Sequence, residues 1–458
     1  MKNSRTLTCC NQKSTLDILS QLKVHIQITD NPYGLKLEEL FEMAARMNKK
    51  RSFLFVSKLL GKHIPINPAT GLATGLLLAN RYMEAVYDKE IGKKEEWLSY
   101  LSGEHKVIDD SPFIGEGINP VIIGFAETAT ALGHAFYQSF TQADFFHTTR
   151  EILKSQTSVI NFEEEHSHAT SHRSYIPEVL LDNSREIILV DDEMTTGKTA
   201  INIIRSIQEK YPRTTYSVVS ILDWRSDDHK KQFALLEQEL GIRIKAVSLL
   251  SGTIEVDGAP EPGNQQITDY NQSQVTPFIE EIYLEEIFPQ ELEGVEQVSV
   301  TLDGVEKSIP YMRETGRFGL HATENASIHL RLETIAEELN QSRTGLNTLC
   351  LGTGEFMYIP MKIASMMGDG VSYHSTTRSP IYTLNQKDYG AKFGLSFPNP
   401  DDQQIAQFVY NIPPKEYDEI FVFFERAITK EKLAPFLAEL EKTETPNVKI
   451  VYFKGGKP

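Results

Sequence analysis

The strongest chemical pattern in this chain is IILVDDEMTTGKT, residues 187–199. An apolar β-type run ends in two carboxylates, Asp191 and Asp192, with Glu193 behind them. A loop of small hydroxylated residues, Thr195-Thr196-Gly197-Lys198-Thr199, then opens a helical pattern, TAINIIRSIQEKY. Backbone N–H groups at a helix N-terminus lack intrahelical partners and favour an anion. The threonine hydroxyls add donors, and Gly197 lets the backbone come close to a ligand. The pattern predicts a phosphate cradle with two acids beside it. It is not an ATPase P-loop, because that motif requires glycine where Asp192 stands. The Gly352-Thr353-Gly354 stretch likewise fails the dinucleotide fingerprint, since position 357 is Met357.

Three other segments carry candidate groups. A short apolar run, VIIGF (121–125), leads into Gly124-Phe125-Ala126-Glu127-Thr128 and a helix-like stretch. A second run ends in His147-Thr148-Thr149-Arg150 and is followed by FEEEHSHATSHRSY (162–175). The spacing of His166, His168 and His172 is open to three readings. They could bind a transition metal with help from Glu163–Glu165, contact an anion together with Arg173, or lie on a solvated loop. Farther on, Gly352-Thr353-Gly354-Glu355 and Thr376-Thr377-Arg378-Ser379 offer backbone N–H groups, hydroxyls and one guanidinium. That set suits a phosphate or carboxylate at a second ligand site, or else belongs to a scaffold or dimer surface.

Strand-like and helix-like segments alternate on both sides of the middle of the chain, which implies parallel sheets and an α/β fold. The two halves also align. Residues 121–150 lie on 349–378 without a gap, at an offset of 228. Five identities fall at predicted strand ends: Gly124 on Gly352, Glu127 on Glu355, and Thr148-Thr149-Arg150 on Thr376-Thr377-Arg378. Raising the offset to 233 lays Glu186–Asp192 on Glu419–Glu425, so Phe424 and Glu425 replace the acid pair. The expected organisation is one α/β domain over 1–251, an acidic connection over 252–310, and a second α/β domain over 311–458.

Composition sets the outer bounds. The chain has 458 residues, 40% hydrophobic and 24% charged, with a formal net charge of −17. Thirteen acidic residues and no Lys or Arg lie between Gly252 and Glu306. The acidic excess thus belongs to a solvated connection or a partner-binding surface, and says little about ligand pockets. An acidic balance also argues against non-specific nucleic-acid binding, which needs cations on phosphates. No apolar run approaches membrane-spanning length, and the first twenty residues lack a signal-peptide core. Three cysteines, Cys9, Cys10 and Cys350, cannot form a disulfide framework. A soluble cytoplasmic protein is expected.

The 187–199 segment resembles the phosphoribosyl-pyrophosphate (PRPP) signature of type I phosphoribosyltransferases, over thirteen consecutive positions. The Thr-Arg-Ser-Pro run at 377–380 resembles that of TRSP-domain proteins, which follow such a domain in bacterial tellurium-resistance and stress gene clusters. The resemblance implies a type I phosphoribosyltransferase-like sheet domain followed by a second α/β (TRSP) domain. It also implies transfer of 5-phosphoribosyl from PRPP to a small nitrogenous acceptor, with Mg²⁺ held partly through substrate by Asp191 and Asp192. Thr195, Thr196, Gly197, Lys198 and Thr199 would hold the 5-phosphate beside Glu193. Gly124, Ala126, Glu127 and Thr128 would grip the pyrophosphate. Arg150, His168 and Arg173 would join the acid pair in catalysis, the last two from a mobile hood. Gly352, Gly354, Glu355, Thr377, Arg378 and Ser379 would take the second ligand. Thr195 stands where purine-salvage relatives carry a basic aspartate, so the base specificity stays open. A homodimer is implied as well. The alternatives are a non-catalytic PRPP- or nucleotide-binding regulator and a histidine-centred, metal-dependent hydrolase.

Overall fold

The computed structural model describes residues 13–18, 22–47, 52–103, 107–163, 171–258 and 275–457. Cys9, Cys10, His166 and His168 lie outside them. The apolar runs become strands buried on both faces, as parallel sheets require. Five of these form the core of the first sheet: β1 (Val121–Gly124), β2 (Asp144–His147), β3 (Ile187–Met194), β4 (Thr215–Asp223) and β5 (Arg243–Gly258). They are all parallel, in the order β5-β4-β3-β1-β2. Short antiparallel strands extend both edges to eight strands in all.

A second sheet repeats this plan. Its strands are β6 (Phe278–Tyr283), β7 (Thr348–Gly352), β8 (Val371–Ser375), β9 (Glu419–Arg426) and β10 (Asn447–Lys454), in the parallel order β6-β10-β9-β7-β8. The pairing register reproduces both sequence offsets. Val121 lies opposite Asp144 and Ile187, and Leu349 lies opposite Ser372 and Ile420. Helices α1 (Ala129–Tyr137) and α2 (Lys198–Lys210) follow β1 and β3, and α3 (Tyr358–Met366) and α4 (Lys430–Leu440) follow β7 and β9. Even local hydrogen bonds recur. Ala126 N donates to Thr148 Oγ1 at 2.9 Å, and Gly354 N donates to Thr376 Oγ1 at 2.8 Å.

The acidic interval is not a bare tether. Its first residues finish β5, Phe278–Tyr283 forms β6, and Ser299–Val300 pairs with both Ile152–Leu153 and Glu306–Lys307. β6 holds the outer position that β5 holds in the first sheet, although it precedes its sheet in the chain. The two units meet where α1 and α3 pack, with the His134 ring stacked on Tyr358 at 3.6 Å. Among the described residues, no helix is long and apolar enough to cross a membrane. Cys350 is buried in β7, and burial pushes its thiol up.

Four buried histidines give the fold a pH signature. Burial holds His63, His134, His147 and His374 below the ordinary imidazole value, His147 at about 4. Lys62 adds to the effect at His63, and Arg317 at His147. Each group is neutral when folded and titrates near 6.5 when unfolded. Stability is therefore complete above about pH 6.5 and falls as the pH drops below it. Each histidine contributes up to about 1.4 kcal/mol per pH unit. Thermal melts between pH 7.5 and 5 should show a falling Tm, and a flat profile would contradict these neutral states.

Candidate active site

In each sheet the strand order reverses beside the first strand, and open α/β sheets bind ligands in the crevice outside the strand ends at such a point. In the first unit that crevice lies between β1 and β3. One lip is the turn Phe125–Thr128, where a Cβ on Gly124 would stand 2.5 Å from the Ala129 carbonyl, so only glycine lets the chain fold back this tightly. The other lip is Asp191–Thr199. Asp191 and Asp192 are half-buried at the end of β3, and Asp192 N donates to Asp191 Oδ1 at 3.0 Å. Gly197 caps α2 with φ +75°, and a Cβ there would strike the Phe233 ring at 2.5 Å. The loop thus rests on Phe233, which carries the Arg225 guanidinium at 4.3 Å. Arg225 is locked by two bonds to Asp223, at 2.9 and 2.7 Å. Both lips line one cavity of about 940 Å³, near the upper end of small-ligand pockets.

The equivalent crevice of the second unit is filled. Glu425, in the position of Asp192, accepts from Arg317 at 2.9 and 2.7 Å and from Met312 N at 3.1 Å. The Tyr311 ring lies against both Arg317 (4.7 Å) and Arg426 (4.0 Å). Glu151 joins Arg426 at 3.0 Å and Arg317 at 3.5 Å, and also bonds Tyr311. Burial pushes the Glu425 carboxyl up even against the two arginines. Residues 311–317 therefore occupy the space beside Glu425.

The repeated Glu and Thr-Arg pairs hold the units together reciprocally. Glu355, from the second unit, accepts from Thr149 Oγ1 at 2.6 Å and Arg150 N at 2.7 Å. Glu127, from the first, accepts from Thr377 Oγ1 and Arg378 N, both at 3.4 Å. Arg317 also reaches Glu355, at 3.3 Å. Burial would raise the Glu355 carboxyl, but Arg317 and the Thr149 and Arg150 donors hold it down at about 2.

This arrangement redistributes the residues singled out from sequence. Asp191–Thr199 and Ala126–Thr128 face each other as expected. Gly352, however, is packed at its strand end, where a Cβ would lie 2.7 Å from the Phe356 carbonyl. Glu355 and Thr377 are engaged across the unit boundary, while Gly354, Arg378 and Ser379 line the same cavity as Asp191. The six do not form a crevice of their own. His172 does not line the cavity: it is buried, stacks on Phe162 at 5.1 Å and meets Thr148 Oγ1 at 2.9 Å. Arg173 lies on the Ser171–Ser174 strand of a hairpin, bonded to the Ser171 and Arg150 carbonyls at 3.3 and 3.5 Å. Among the described residues, no group of three His, Cys, Asp or Glu is arranged to hold a metal. Arg46, Glu151 and Arg317 carried no sequence signal, because their partners lie far away in the chain.

A doubly wound sheet with an acid-and-hydroxyl loop at its switch point defines an α/β protein with a candidate anion-binding crevice. The particular family follows from sequence comparison. A family model described as phosphoribosyl transferase matches residues 40–253, and one described as the TRSP domain C-terminal to it matches 314–440. The chain belongs to this family of phosphoribosyltransferase-like proteins with a C-terminal TRSP domain. Curated proteins give no match. Solved structures that match include an adenine phosphoribosyltransferase from Trypanosoma brucei, at 14% identity, covering 50% of this chain and 82% of that one, TM-score 0.31. An orotate phosphoribosyltransferase from Mycobacterium tuberculosis matches at 13% identity, covering 47% and 90%, TM-score 0.25. The assignment rests on the family models, not on these distant likenesses.

Proposed function

We propose that this chain is a Mg²⁺-dependent phosphoribosyltransferase that moves 5-phosphoribosyl from PRPP to a nitrogen of a small acceptor and releases pyrophosphate. The observation that carries the reading is a single crevice with an acid pair and hydroxyl loop on one lip and a tight backbone turn on the other. The Thr195–Thr199 donors and the start of α2 receive the 5-phosphate. Asp191 and Asp192 orient the ribose hydroxyls and lie where positive charge develops as the anomeric bond breaks. They fit Mg²⁺ as hard oxygen donors, with water and substrate oxygens completing the shell. The bound ion would supply charge neutralisation of the leaving pyrophosphate.

The cavity wall also favours a nitrogenous acceptor. Leu54, Phe55 and Leu60 form an apolar side beside His63. His63 Nε2 is buried without a hydrogen-bond partner among the described residues. A flat heterocycle with one polar edge suits such a wall. The test is to supply PRPP, Mg²⁺ and a panel of purine, pyrimidine and other nitrogenous acceptors and to measure pyrophosphate. Acceptor-dependent release is expected. Tight PRPP binding with no release on any acceptor would favour the regulator instead.

A further inference from the structure

The pairing of the two units places each strand-end arginine against the other unit's crevice. We infer that Arg378, from the TRSP unit, binds the pyrophosphate end of the donor in the first unit's crevice, in place of Arg150. This rests on the PRPP reading above. Arg150 also lines the cavity, but its backbone N–H is on Glu355, and its neighbour Glu151 is tied to Arg317 and Arg426 in the filled crevice. It belongs to the second unit's side of the cavity.

Arg378 stands on the other side. Its backbone N meets Glu127, within the pyrophosphate turn, and the next residue, Ser379, accepts from Arg46 Nη2 at 3.4 Å. Arg46 follows the hairpin strand Phe41–Ala45, which pairs with Phe53–Ser57, and Leu54, Phe55 and Ser57 of that partner line the same cavity. Lys62 Nζ lies 3.5 Å from Glu127 and bonds Thr128. Arg378 and Lys62 therefore flank the Ala126–Thr128 turn.

The charges complete the argument. A carboxylate in an anion-binding turn would repel pyrophosphate, but Glu127 faces Lys62, the Thr377 hydroxyl and the Arg378 backbone N–H. Lys62 offsets it. Arg378 is half-buried and lines the cavity, and its guanidinium makes no hydrogen bond or ion pair among the described residues. An unpaired guanidinium at the cavity wall is available to an anion, and its fork suits two phosphoryl oxygens. The TRSP unit is on this account a part of the active site supplied within one chain.

Calorimetry on the full chain with Mg²⁺ and three probes, PRPP, pyrophosphate and ribose 5-phosphate, tests this. Arg378→Ala should weaken PRPP and pyrophosphate roughly 10- to 100-fold and leave ribose 5-phosphate unchanged, which also serves as the folding control. Arg378→Lys should restore part of the loss, and Arg150→Ala should cost pyrophosphate less than Arg378→Ala does. Unchanged affinities in Arg378→Ala, with the unmutated chain binding all three probes, overturn this inference alone. An equal loss of ribose 5-phosphate affinity overturns it too, because the whole crevice would have been disturbed. An unmutated chain that binds none of the probes overturns both this inference and the PRPP reading.

Discussion

Glu355→Ala is expected to destabilise the fold by about 3–5 kcal/mol, the scale for removing one partner of a buried charge network. The substitution strips an acceptor from Thr149 Oγ1 and Arg150 N and leaves Arg317, which is almost fully buried, with less counter-charge. Glu127→Ala should cost less, although it removes the symmetry-related brace. Its bonds to Thr377 and Arg378 are 3.4 Å long, and its Lys62 partner borders the cavity. Urea denaturation of the two variants separates the cases, and equal losses would contradict the asymmetry. Because Glu355 titrates near 2 in the fold, its contribution is present above the ordinary carboxylate value of about 4.5 and lost as pH falls toward 2. Glu355→Ala should therefore flatten stability across that acid window. Glu355→Gln combined with Arg317→Met should lose less than the sum of the single changes, since both act on one network.

The repeat was legible in the sequence because β strands in parallel sheets are continuous apolar runs, and their ends carry the functional residues. Gly124 and Gly352 stand out for the same physical reason: the turn after each strand leaves no room for a Cβ. The loop at 191–199 was readable because its donors are consecutive. What the sequence hid was the partnering. Nothing local says that Glu127 faces Thr377 while Glu355 faces Thr149, because the pairing arises only when two sheets dock through α1 and α3. Nor does local sequence show that Arg317 fills the second crevice, since its carboxylates come from positions 151, 355 and 425. His172 is a related case: the triplet left three readings open, and one of its members turns inward to meet Thr148. Composition registers the acidic interval only as charge, whereas β6 is set by alternate burial along a short strand.

Replacing Asp191 and Asp192 together with asparagine is expected to reduce acceptor-dependent pyrophosphate release by about 100-fold or more, the scale for one preorganised electrostatic contact. Asparagine keeps the side-chain shape, and its carbonyl at 191 can still accept from the backbone N of residue 192, so melting temperature should barely move. What is lost is negative charge beside the ribose, where bond breaking builds positive charge, together with the hard donors for Mg²⁺. The two single changes should not multiply, because groups that act as a unit are non-additive. Steady-state pyrophosphate release across a Mg²⁺ titration measures this, with a higher Mg²⁺ requirement expected in each single variant. The ligand arms should also differ from those of Arg378→Ala: ribose 5-phosphate, unchanged there, is weakened here. Two crevice lips that fail separately, one through the acids of the first unit and one through the arginine of the second, would locate the donor across both. Release undiminished in the double variant would remove the acid pair from the reaction, and with it the case for phosphoribosyl transfer at this crevice.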